Sequence, residues 1–215
     1  MSASQSLALS FEELFTVIVR VRSHRQPASN ADVFRAHVRG LLKTVERTAL
    51  GAGYSVEDFR LAAFAVVAFL DESLNASGDA VFGDWRRLPL QQELFKTSNA
   101  GEEFFKYLEA VLKRRDTPQL ADLLEVFDLC LLLGFQGRGS LEFLRSYKEG
   151  VGERIRRIRG AAKPLSTSWT PSAGAVPAAG PDPWVRRLAV AAGASLVLAV
   201  ALFAAFKLLL LNAAG

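Results

Sequence analysis

The sequence predicts an all-α protein: a helical bundle over residues 1–163, a linker, and one membrane-crossing helix near the C-terminus. Three observations carry this reading. Apolar residues in the first part recur at helical spacing between recognisable start and stop signals. No stretch there alternates apolar and polar residues as a half-buried strand would. Residues 188–206, LAVAAGASLVLAVALFAAF, hold no charged side chain, a length that matches the roughly 20 apolar residues needed to cross a bilayer.

Each element has a local reason. Ser10 and Glu13 form a capping box, followed by Phe11, Leu14, Phe15 and Ile18 at helical spacing. Phe34, Val38, Leu41, Leu42 and Val45 make a second stripe that ends near Gly51 and Gly53. Ser55 opens a third helix, VEDFRLAAFAVVAFLDESLN, apolar on nearly every side from Leu61 to Leu70. A helix apolar all round belongs at the centre of a bundle. Pro89 opens a short helix at PLQQELF. Residues 102–115 begin with Glu102 and Glu103 and end with Lys113, Arg114 and Arg115, an order that complements the helix dipole. Thr117 and Pro118 make a cap and first-turn pair for a helix running to Leu133, where Gly134 stops it. A last amphipathic helix carries Leu141, Leu144, Tyr147 (or Lys148), Val151, Ile155 and Ile158, with Ser140 as its cap. Two long polar connections, 22–31 and 76–88, are the expected functional loops.

Residues 164–183, PLSTSWTPSAGAVPAAGPDP, read as an extended, semi-rigid linker. Trp169, its one aromatic residue, could dock on the domain or at a membrane surface. The anchor is expected over 184–211, with 212–215 as a short tail. Trp184 sits at its near edge as an interfacial aromatic, and Lys207 near the far end can snorkel. Arg186 and Arg187 flank the span on its N-terminal side, with Arg154, Arg156, Arg157, Arg159 and Lys163 further upstream. The positive-inside tendency then places the helical domain in the cytoplasm and the tail on the opposite side. Ala192 and Gly193 are small, so self-association of the anchor is open, although no full G-x-x-x-G occurs.

Composition excludes several classes. The 215-residue chain is half hydrophobic with 15 phenylalanines, enough for a sizeable core, and its formal charge of +4 is far from a nucleic-acid binder's basic stripe. The N-terminus has neither the basic start nor the apolar core of a secretory signal. The lone Cys130 lies inside an apolar helix and reads as a buried structural thiol. His24 and His37 have no partners at metal-ligand spacing, and no G-x-S-x-G elbow occurs. GAGYS at 51–55 lacks the lysine and preceding strand of a phosphate loop. No metal, cofactor or catalytic constellation is therefore expected. One pair stands out. Asp71 and Glu72 follow the most apolar helix and oppose its dipole. Either one pairs with an arginine and the other faces water, or together they edge a groove that receives a basic partner.

Several stretches together carry a family resemblance: AFAVVAFLDESLN, DWRRLPLQQELF, GEEFFKYLEAVL and LLEVFDLCLLLGFQGR, in that order, closed by a single anchor. This resembles the DotU/IcmH/TssL family of inner-membrane proteins from bacterial type VI and type IVB secretion systems. The resemblance covers nearly the whole chain, and CLLLGFQGR is its most specific element. It implies about eight helices in two lobes with a cleft between them, and a non-enzymatic scaffold role. It implies as partners a large IcmF/TssM-type inner-membrane protein, TssK- and TssE-like baseplate components and, indirectly, a TssJ-like outer-membrane lipoprotein. Asp71 and Glu72 would be the acidic cleft pair, and Gly134, Phe135, Gly137 and Arg138 the family's glycine–arginine turn. Arg138 would then pair across the cleft, with Asp71 or Glu72 as candidates. Gln136 departs from the family's usual Glu, and the loop after Arg138 is short. The type VI branch fits better than type IVB. A tail-anchored Bcl-2-like regulator is a remoter reading, for which FGDWRR at 82–87 is a faint echo, and a membrane-bound enzyme lacks a site.

Overall fold

A computed structural model describes residues 6–25 and 30–160, together with Ala192, Gly193 and Ser195. Among them all regular structure is helical: α1 (Leu7–Ser10), α2 (Glu12–Arg22), α3 (Ala31–Gly51), α4 (Val56–Ser77), a 3-10 segment (Ala80–Arg87), α5 (Leu90–Phe95), α6 (Ala100–Leu112), α7 (Pro118–Leu132) and α8 (Leu141–Arg159). Met1–Ala162 forms one compact unit and Lys163–Gly215 another. The described residues contain no helix long and apolar enough to cross a membrane. Trp169, Trp184, Arg186, Arg187, Lys207 and most of the expected span lie outside them.

α4 is the central helix. Ten successive residues, Ala62 to Asp71, are buried, and α2, α3, α5, α6 and α7 all pack on it. That is what its unbroken apolar stretch requires. A single core joins residues from Leu7 to Val151. The described helices thus form one core, where the resemblance implied two lobes. Cys130 is fully buried, and burial pushes its thiol pKa well up.

Several helix starts use the residues the sequence marked. Ser55 accepts from the Asp58 amide, Thr117 from Leu120 ahead of Pro118, and Ser140 from Phe143. α3 is capped by Asn30, which accepts from the Asp32 and Val33 amides. Three details differ from the sequence reading. Ser10 caps nothing; it closes α1, and Phe11, fully buried and stacked on Phe59, joins α1 to α2. Burying that ring dominates over the local capping box. The helix expected over 102–115 spans 100–112, because Arg114 is drawn off to pair with Asp58 and Glu57 of α4. The 76–88 connection is not a free polar loop. Its 3-10 segment buries Phe82 and Trp85, and Phe34 meets both rings edge-on.

Candidate docking site

Asp71 and Glu72 are neighbours on α4, so their side chains leave the helix about 100° apart. They consequently serve two different segments. Asp71 is 2% exposed. Its Oδ1 accepts from Trp85 Nε1 (2.7 Å) and the Leu90 amide (3.1 Å), and its Oδ2 from the Gln91 amide (2.8 Å). Leu90 and Gln91 are the first residues of α5, whose N-cap, Pro89, makes no side-chain cap. Asp71 thus supplies from α4 the side-chain acceptor that Pro89 does not offer the first amides of α5. Arg35 stacks over Trp85 at 4.0 Å and donates to the Leu88 carbonyl and to Glu93. Burial raises the Asp71 pKa; the Gln91, Trp85 and Leu90 donors and the Arg35 charge act against that rise.

Glu72 faces the other way, half-buried, and holds the glycine–arginine turn. Its two oxygens accept from the amides of Gln136 (3.0 Å) and Gly137 (2.7 Å). Burial raises its pKa as well, opposed by those two donors and by Arg22. α7 ends in a Schellman motif: the Phe135 amide reaches the Cys130 carbonyl at 2.9 Å, and the Gly134 amide reaches Leu131 at 3.2 Å. Gly134 has φ +107, and a Cβ there would sit 2.9 Å from Arg22 Nη2. The glycine leaves room for Arg22, whose guanidinium lies over the Phe69 ring at 5.5 Å. Phe135, 1% exposed, plugs the turn into the core against Phe69, Phe104 and Phe105. Gly137, at φ +56, packs on the first turn of α6; its missing Cβ would lie 2.6 Å from the Gly101 carbonyl oxygen and 3.0 Å from the Phe105 ring. No larger residue fits there without moving backbone.

The turn therefore presents a fixed surface. Arg138 is exposed and bonds Glu102 at 2.6 Å. Leu141 is 82% exposed and Phe143 40%. Between α6 and the start of α8 lies a depression of about 340 Å³, whose walls include Phe105, Lys106, Arg138 and Phe143.

These placements revise two expectations. The acidic pair does not form an open edge in this structure: Asp71 points inward and both Glu72 oxygens are occupied by backbone donors. Arg138 pairs with neither; Glu102 takes it, and a hydrogen bond from the Asn99 side chain and then Arg138 hold the Glu102 carboxyl below its ordinary range. Glu72 and the glycine turn, distant in sequence, do come together. Sequence reasoning gave no role at this site to Trp85, Arg22, Gly101 or Glu102. Trp85 was findable, because a carboxylate ending a wholly apolar helix needs nearby donors, and an indole N–H stands fourteen residues on. His24 and His37 are both exposed, on separate elements.

The fold and its sequence have known counterparts. The family described as type VI secretion system protein DotU matches residues 6–209. The cytoplasmic domain of TssL from Acinetobacter baumannii is 31% identical, with a TM-score of 0.66, over 71% of this chain and 98% of that one. SciP/TssL from enteroaggregative Escherichia coli 042 shares the fold with a TM-score of 0.62 at 23% identity, over 78% of this chain and 98% of that one. The comparison with curated proteins gives no match. The Bcl-2-like reading falls with these matches, and the tryptophan that prompted it is the indole bonded to Asp71. The matched family extends over nearly the whole sequence, and the chain belongs to the DotU family of type VI secretion system proteins.

Proposed function

We propose that this chain is a non-enzymatic scaffold of the type VI inner-membrane complex. Its helical body, on the cytoplasmic side, joins an IcmF/TssM-type membrane protein to TssK- and TssE-like baseplate components. Residues 184–211 anchor it, and a TssJ-like outer-membrane lipoprotein is reached only through the larger partner. The supporting observation is the bracing of the 134–139 turn. Glu72, the Gly101–Gly137 contact and the Phe135 plug all fix a short segment whose outer side is Arg138, Leu141 and Phe143. A rigid, partly apolar surface suits docking, because little conformational entropy is lost on binding. In this reading Asp71 and Glu72 serve partner binding by positioning: Asp71 sets the 80–95 segment and Glu72 the turn.

The test is Arg138→Glu combined with Leu141→Ser in the full chain, in cells that assemble the secretion system. Both positions are exposed, and loss of the surface Arg138–Glu102 pair costs little, so the body is expected to stay folded while baseplate components no longer co-purify. Retention of those components by the folded variant would remove the turn from the docking surface.

A further inference from the structure

A second surface, made of residues separate from the braced turn, lies between α3, α4 and α5. α3 contributes Leu42, Lys43 and Glu46, spaced so that they line one ridge; α4 contributes Phe59 and Arg60, and α5 adds Leu94. The trough between them holds about 360 Å³. Its floor is apolar, and Leu94 stands 40% exposed on its wall. A concave apolar strip between two helices fits the anchor side chains of a third helix.

The charges state which kind of helix. Arg39, at one end, is bound to Glu93. Lys43 and Arg60 are exposed and have no ion pair or hydrogen bond among the described residues. Glu46, half-buried, is the one acid lining the wall. Unneutralised positive charge thus flanks the apolar floor on both helices. An occupant with apolar residues at i, i+3 or i+4, and i+7 and carboxylates alongside would satisfy both features. A flat anionic membrane fits less well, because the apolar strip is recessed and Glu46 would face the headgroups.

We propose that the α3–α4 trough is a docking site for an acidic amphipathic helix of a partner protein, with Lys43 and Arg60 as its charge-reading residues and Leu94 and Phe59 as its apolar contacts.

The test has two stages. A photo-crosslinking amino acid is placed at Glu46, a lining residue on which the proposed contacts do not depend, in the full chain in cells assembling the secretion system, and the captured segment is sequenced by mass spectrometry. The expected product is a net-acidic segment with helical apolar spacing. That segment, made as a labelled peptide, is then titrated against the full chain in nanodiscs. Lys43→Glu with Arg60→Glu is expected to weaken binding about tenfold or more, and added salt to weaken the wild type. Leu94→Glu, at an exposed position that folding does not need, is expected to abolish binding with an unchanged melting temperature. Capture of a basic segment, of lipid, of a second copy of this chain, or of nothing overturns the proposal, as does peptide binding indifferent to the charge reversals.

Discussion

Replacing Glu72 by Ala removes the link between the central helix and the glycine–arginine turn. The amides of Gln136 and Gly137 each lose a carboxylate acceptor. Gln136 is exposed, so water takes over its donor at a cost of about 0.5 kcal/mol. Gly137 is half-buried against α6, and its unpaired amide costs about 1–2 kcal/mol. Burial opposes ionisation of Glu72, and removing that carboxylate offsets part of the loss. The net destabilisation is about 1–2 kcal/mol, or roughly 3–6 °C in melting temperature for a body of this size. Circular dichroism melting of the full chain in detergent measures the global effect. Hydrogen exchange measures the local one, with the Gln136 and Gly137 amides expected to exchange faster while those in the middle of α4 follow only the global change. A variant that melts with the wild type and leaves both amides protected would refute the bracing of the turn by Glu72.

The other predictions bear on the same junction. Gly137→Ala is expected to cost about 2–3 kcal/mol in urea unfolding, because a Cβ would sit 2.6 Å from the Gly101 carbonyl oxygen. Asp71→Asn turns an amide donor toward a donor it must now face, and it is expected to lose about 1–3 kcal/mol and to shift Trp85 fluorescence; an unaltered emission spectrum would contradict the indole contact. Burial raises the pKa of both Asp71 and Glu72, so the folded state holds their protons more tightly than the unfolded chain does. Their share of stability is therefore present in full below the ordinary carboxylate values and is lost as pH rises through the raised folded ones. Glu72→Gln is expected to flatten that part of the stability–pH curve relative to wild type, and parallel curves would contradict the assignment.

The helices were legible where periodicity and capping agreed. Ser55, Thr117–Pro118 and Ser140 start their helices as the sequence indicates, because those caps are local. Local signals failed where a tertiary contact dominated. Ser10 does not cap α2 as its box predicted, because the chain turns there through the buried Phe11, a member of the apolar stripe the sequence marked. Arg114 leaves the helix end to bind α4. The site was legible as residues and not as roles. Asp71, Glu72 and the glycine turn were all marked, yet adjacency in sequence suggested one shared acidic edge. Helical geometry separates the two carboxylates, and burial forces each to find donors within the chain. Gly101 gave no signal, because its role depends on what lies against it.

The central claim, that this chain works as a scaffold in a larger inner-membrane assembly, is tested most directly by gentle detergent extraction of the full-length tagged protein from cells expressing the secretion system, followed by native mass measurement. The account predicts a complex containing a much larger membrane protein. Recovery of the chain alone as a monomer, under conditions that keep its helical body folded, would contradict it.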